Sequence, residues 1–282
     1  MATAPSKAPE KRQIWQSGDV PPFPAVALKA LNLMAGTDTS LIELCNLVRP
    51  DVAFSTDILR IANSPLVAFS KDVTSVLQAS MLLGFRRLRS IVITIGLKAY
   101  LSGPYSPLLQ ACWHHSLACA IIAERSAKAC GHDKDSAYTA GIMHDIGRMV
   151  LAISQPAVYA QAIEQGADQP RDLLDAEQAS FGIDHCQAGG MLVKQWALPE
   201  TFSWVTTCHH DSDARISGLD SVVSRSCRLA DTLGFGIIRY RAAQSYEQVL
   251  IEMPEPARST FPADEREIVS QISNEISLIE SA

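Results

Sequence analysis

Histidine and aspartate are the residues of this chain whose types and spacing could do chemistry. His114 and His115 are adjacent within an apolar, helix-like stretch. His144 is followed directly by Asp145, His185 stands alone, and His209 and His210 form a second pair. Of the seven histidines, only His132 sits in an evident loop. Asp231 comes late, in Leu229-Ala230-Asp231. A carboxylate buried in that apolar helix is costly unless it is paired or bound to a cation. Imidazole nitrogens together with carboxylate oxygens suit first-row divalent ions such as Mn, Fe, Co, Ni or Zn. An ion of that kind holds a phosphate oxygen and lowers the pKa of a bound water, which is the chemistry of phosphoester hydrolysis.

These residues need helices that aim them at one point, as a helical bundle can. His144 and Asp145 are neighbours, so on a continuous helix they lie about 100 degrees apart. They can share an ion only at the edge of that helix, with other helices closing around it. His115, His185, His209 and Asp231 are the candidates for the other sides. His114 points away from His115 and reads as a packed histidine. A lone helical histidine is ordinarily packed and hydrogen-bonded, so spacing leaves the metal reading and the packing reading both open.

Helix punctuation recurs along the chain. Ser40-x-x-Glu43 reads as a capping box for a helix stopped by Pro50, and Asp51 caps the next one, to about Asn63. Ser75-x-x-Gln78 opens a helix that ends near Gly84. Residues 86–101 are apolar; the β-branched run Ile91 to Ile95 resembles a strand in isolation, but its helical neighbours and the lack of a partner strand favour helix. The Gly, Pro and Ser of 102–107 mark a lobe boundary, and Ser106-Pro107 starts a long helix ending at Gly131. Further helices are predicted over 135–153, 156–165, 171–181, 185–197, 199–210, 217–233 and 262–280. The expected class is all-α: a tail at 1–17, an N-terminal helical lobe at 18–103, a larger lobe at 104–240 and a C-terminal helical tail at 241–282. In that tail Ile268, Val269, Ile272, Ile276 and Ile279 fall at helical spacing, ready to pack on the body or on a second copy.

The 282 residues are 47% hydrophobic and 19% charged, which gives a globular chain with a sizeable core. A net charge of −6 disfavours broad binding to nucleic acid or to anionic membrane. The local cluster Arg86, Arg87 and Arg89 reads as a solvated helix face, with an anion contact as the alternative. Seven cysteines, with no C-x-x-C pair, fit a reducing compartment. The polar N-terminus has no apolar segment of the secretory kind, and no apolar run approaches the roughly 18 residues of a membrane span. The chain therefore reads as cytoplasmic.

Taken in order, several segments resemble the HDOD (HD-related output domain) family. Pro22-Phe23-Pro24-Ala25-Val26-Ala27-Leu28 is similar to its opening, and Arg49-Pro50-Asp51 with Leu59-Arg60-Ile61-Ala62-Asn63-Ser64 to its second segment. Ser75-Val76-Leu77-Gln78-Ala79 with Leu83-Gly84-Phe85-Arg86-Arg87-Leu88-Arg89 continues the match. So do Trp113-His114-His115-Ser116, Ala140 to Gly147, Asp184 to Gly190, Trp196-Ala197-Leu198-Pro199 and His209-His210, so that the resemblance spans about 18–235. It implies an N-terminal helical subdomain packed on a divergent HD-type bundle, and a bacterial signalling role that is usually non-catalytic. In the wider HD superfamily the metal ligands match His115, His144, Asp145 and Asp231. The HD-GYP phosphodiesterases add histidines for a second metal, which His185, His209 and His210 resemble. Arg148 stands where that group has Lys, no Gly-Tyr-Pro follows His209-His210-Asp211, and Ala111 stands where an extra carboxylate would serve a larger cluster. These departures argue against cyclic-di-GMP hydrolysis.

Three readings follow. The chain is a non-catalytic regulatory module sensing a nucleotide, a metal or a signalling protein partner. Alternatively it is a metal-dependent phosphohydrolase of a nucleotide or phosphoester, with Arg148 as a phosphate contact. Or it is a helical adaptor whose histidines only pack. The ion is expected among Fe, Mn, Ni and Zn, and homo-oligomerisation is left open.

Overall fold

A computed structural model of the chain describes residues 22–33, 41–65, 67, 72–101, 106–168, 170–210, 218–238 and 244–281. The expected tail at 1–17, the Ser40 cap, residues 102–105 of the expected break and the segment after His210 lie outside the described residues.

Every described element is helical. The first described helices are α1 (Ala25–Leu33), α2 (Leu41–Val48), α3 (Val52–Ala62) and α4 (Val76–Leu101). There follow α5 (Pro107–Ala129), α6 (Lys134–Met143), α7 (Ile146–Ser154), α8 (Pro156–Gln165), α9 (Pro170–Phe181), α10 (His185–Gln195), α11 (Glu200–Cys208) and α12 (Leu219–Ala230). A π-helical turn, Asp231–Phe235, continues from α12, and α13 (Tyr246–Ile251), α14 (Glu255–Arg258) and α15 (Glu265–Ser281) close the chain.

The caps that the sequence advertises set many of these limits. Asp51 accepts a hydrogen bond from the Phe54 N–H at 3.1 Å. Ser106 caps α5 ahead of Pro107, and Asp184 caps α10 by accepting from the Gln187 N–H at 2.7 Å. Within α4, Gly84 takes φ 75° and ψ 168°, so the helix expected to end near Gly84 and the one expected at 86–101 meet across a break. Residues 91–95 are helical and buried, because a core on all sides outweighs β-branched propensity.

α5 is the central helix, with α6 and α12 packed most extensively on it. One apolar core runs from Phe23 on the N-terminal side to Ile279 on α15. Ring contacts of Trp196, after α10, with Phe23 (4.8 Å) and Tyr100 (5.8 Å) help join α10 to the first helices. Polar pairs join other helices. Arg86 meets Asp133 at 2.8 Å, Arg87 meets Glu124 at 3.0 Å, and Arg89 donates to Ser136 at 3.0 Å. The cluster read as a solvated face is thus a row of contacts from α4 to α5 and α6, because α4 lies against the start of α6.

Three boundaries differ from expectation. The helix predicted over 135–153 is two helices, broken at His144 and Asp145. The helix predicted to 233 gives way to the π turn at Asp231. The short α13 and α14 are additional. At the C-terminus, Ile268, Ile272, Ile276 and Ile279 bury against the chain's own core, with Val269 partly buried beside them.

Candidate metal centre

All but one of the candidate residues sit at helix ends, which is how separate helices reach one point. His115 lies mid-helix on α5, facing inward. His144 closes α6 and Asp145 precedes α7. His185 is the first residue of α10, His209 closes α11 with His210 next, and Asp231 closes α12. The break at His144 and Asp145 frees the pair from the angle that a continuous helix would impose. Asp145 makes no side-chain cap bond to its own helix. Its carboxylate turns into the cluster instead.

The local packing that makes this possible rests on Gly147. A Cβ there would collide with the His185 carbonyl oxygen and with the Gly189 nitrogen. Only a glycine lets α7 touch the first turn of α10 and bring His185 beside Asp145.

The Asp145 carboxylate is the hub. Its Oδ1 lies 3.2 Å from His209 Nε2 and 3.5 Å from His185 Nε2. Its Oδ2 lies 2.7 Å from Arg148 Nε, 3.5 Å from His115 Nε2 and 3.8 Å from His144 Nε2. His115 and His144 meet through their Nε2 atoms at 3.2 Å. Asp145 and its four nearest imidazoles are each at most 2% exposed. Neither oxygen of Asp145 accepts a well-directed hydrogen bond, and His209 Nε2 has none either.

The remote ring nitrogens decide which face of each imidazole is free. His144 Nδ1 is 2.6 Å from the Gly141 carbonyl, and His209 Nδ1 is 3.1 Å from the Val205 carbonyl. A carbonyl only accepts, so both Nδ1 atoms carry the proton. Burial pushes His144 well below the ordinary histidine range and pushes His209 down as well. Both rings are therefore neutral near pH 7, and their unprotonated Nε2 lone pairs face Asp145. Burial by itself would raise Asp145, but the Arg148 guanidinium and the His144 ring outweigh it and hold the carboxyl well below the usual range. Lone pairs of three groups thus converge in a dry space, an arrangement that a cation satisfies.

The sequence did not single out Glu177. It is fully buried on α9 and accepts from His185 Nδ1 at 2.6 Å, from the His185 backbone N–H at 2.8 Å and from the Tyr159 hydroxyl at 2.7 Å. Burial opposes charge on His185, yet the Glu177 carboxylate outweighs it and lifts the ring to about 10. A carboxylate behind a histidine fixes its tautomer and strengthens it as a donor. The available signal was position: Glu177 shares the Leu173, Ala176 and Phe181 stripe of α9, where an acid is out of place. Cys227 was also missed, and its Sγ lies 3.6 Å from His115 Nε2.

The candidate residues gather as two groups of donor atoms, each mutually within 4.8 Å: Asp145 with His185, His209 and His210, and His115 with His144 and Cys227. Asp231 stands behind them, 3.4 Å from His115 Nδ1. Arg148 is inside the cluster, 3% exposed. His114 pairs with Glu280 of α15 at 2.9 Å, away from the cluster.

The HDOD domain family matches residues 20–212. A curated relative, an uncharacterized protein of Treponema pallidum (strain Nichols), is 25% identical over 197 residues; these cover 68% of this chain, which spans only 38% of that protein's length. Among solved structures, an HDOD domain protein of unknown function from Geobacter sulfurreducens aligns with TM-score 0.73 and 23% identity, covering 93% of this chain and 92% of the other. A presumed phosphohydrolase from Shewanella amazonensis SB2B aligns with TM-score 0.67 and 20% identity, covering 96% of each chain. A presumed signal transduction protein from Marinobacter aquaeolei VT8 aligns with TM-score 0.62 and 20% identity, covering 93% of this chain and 58% of the other. These likenesses establish the fold. No described helix is long and apolar enough to cross a membrane.

Proposed function

Since the chain belongs to the HDOD family, we propose that it is a cytoplasmic regulatory protein whose HD-type lobe binds a divalent transition metal ion, Fe, Mn, Ni or Zn, without turning over a substrate. The observation that carries this reading is the convergence of unprotonated His144 and His209 Nε2 atoms on a buried, ionised Asp145 whose oxygens lack directed hydrogen bonds. His115, His144, Asp145 and Asp231 are the residues assigned to hold the ion, with His185, His209 and His210 extending the donor set. Structural metal sites are closed, whereas catalytic ones keep an open position. Burial of Asp145 and its four nearest imidazoles supports the former.

When bound, the ion would cross-link α5, the α6–α7 junction and the end of α12. The state of that junction can reach the N-terminal lobe through α6. There Ser90 and Thr139 hydrogen-bond at 2.9 Å, and Arg86 pairs with Asp133. The output is then a signalling protein partner that reads the α4–α6 contact, or a nucleotide that biases it.

A second reading, a metal-dependent phosphohydrolase, is favoured by the rim of the cluster. The Asp231 side chain is 21% exposed and His210 is partly exposed, so one edge faces outward. The presumed phosphohydrolase from Shewanella amazonensis shares the fold.

Elemental mass spectrometry of untagged protein, purified without added metal, tests the first claim. Transition metal bound in the wild type and lost in His144→Ala and Asp145→Ala is expected; no metal, even on titration, would remove the reading. A panel of nucleotides and phosphoesters with added Mn, Fe or Ni decides between regulation and catalysis. Hydrolysis that vanishes in His144→Ala would establish the second reading.

A further inference from the structure

The two donor groups are not equivalent, because one already holds a cation. Arg148 Nη2 lies 3.2 Å from His185 Nε2 and 3.4 Å from His210 Nε2, and its Nε lies 2.7 Å from Asp145 Oδ2. One guanidinium nitrogen thus stands against both ring nitrogens. A metal would need that same space, at about 2.0–2.1 Å from each nitrogen. The guanidinium keeps its charge at any working pH, so protons do not release it. Its position is also fixed. Arg148 is one turn beyond Asp145 on α7, and the next-door Gly147 pins that turn against α10. At 3% exposure it has no solvent to retreat into.

In the other group His115 and His144 face each other, and Asp145 Oδ2, which also meets Arg148 Nε, reaches toward both. We propose that Arg148 is a built-in cation filling the His185–His210 half of the cluster. The chain then takes one metal ion, in the His115–His144–Asp145 half, with Asp231 behind His115, and a latent second site opens only when Arg148 is shortened. The inference rests on the metal reading above and adds to it the number of ions and the residue that sets that number. It also gives His185 and His210 a role without metal, as the rings that flank the guanidinium.

The test is the manganese content per chain after Mn(II) loading and dialysis, for the wild type, Arg148→Ala and Arg148→Met. Methionine fills much of the same space without charge, and circular dichroism with thermal melting verifies that each variant is folded. The expected result is about one equivalent in the wild type and about two in the folded variants. The Mn(II) electron paramagnetic resonance spectrum should change from that of an isolated ion to that of a coupled pair. Adding His210→Ala to Arg148→Ala should return the content to about one. Two equivalents in the wild type, or one in both folded Arg148 variants, overturns the inference while leaving the metal reading standing. No metal in any of these proteins overturns both.

Discussion

His185 donates its Nδ1 proton to Glu177 at 2.6 Å, and Glu177 is closed to solvent. The same carboxylate holds the His185 backbone and the Tyr159 hydroxyl. One acid on α9 therefore fixes the tautomer of a ring on α10 that faces the Asp145 hub on α7.

Removing that acid should cost more than one contact. Glu177→Ala leaves a basic imidazole, an amide N–H and a hydroxyl unpaired in the core, so a loss of about 3–5 kcal/mol in unfolding free energy is expected from denaturant titration. Glu177→Gln keeps one acceptor oxygen and the volume, and should lose clearly less. Equal losses in the two variants would mean that Glu177 acts by filling space.

Metal removal should destabilise the wild type and nothing else in the series. A ligand that binds only the folded chain stabilises it by about 2.7 kcal/mol at 100 times its dissociation constant. Chelation should therefore lower the Tm of the wild type and leave the Tm of Asp145→Ala where it was. An identical fall in both proteins would show that the chelator acts elsewhere.

Two glycines should fail for different reasons. Gly147→Ala drives a methyl group into the backbone of α10, which is expected to cost about 1–3 kcal/mol or more and to reduce metal uptake, since His185 is pushed from Asp145. At Gly84 the space around a new Cβ is open, but φ is 75°. Gly84→Ala should therefore cost about 1–3 kcal/mol through backbone strain while metal content stays unchanged. Paired melting and metal analysis separate the two.

The free thiols should divide by burial. Burial pushes Cys112 up to about 12 and Cys119 and Cys227 well above the ordinary thiol range. A raised pKa keeps these groups as unreactive thiols at pH 8. Iodoacetamide on the native protein should label Cys130 and Cys208, which are partly exposed, well before the five buried thiols. Peptide mapping reads the order, and early labelling of Cys227 would mean that the cluster opens readily.

Much of the architecture was legible in the residues themselves. Asp51, Ser106-Pro107 and Asp184 are local signals, satisfied within one turn, so a linear reading finds them. The isoleucine stripe of the C-terminal helix is equally local, because helical period alone puts Ile268, Ile272 and Ile276 on one face. The same holds for the inventory of histidines and aspartates, which named the residues that now surround Asp145.

What the sequence alone determined, then, was the helices, their apolar faces and a short roster of donors. The tertiary structure decided which of these meet and in what state. The break at His144 and Asp145 depends on what α5, α10 and α11 present to it, not on the local propensity of that run. Glu177, Cys227 and Arg148 became part of the cluster because helices distant in sequence fold them against it. Arg86, Arg87 and Arg89 turned from a solvent face into contacts between helices for the same reason. Helix formation is settled by contacts three or four residues apart, which a sequence displays. A converging site is settled by contacts tens of residues apart, and those exist only once the core has closed.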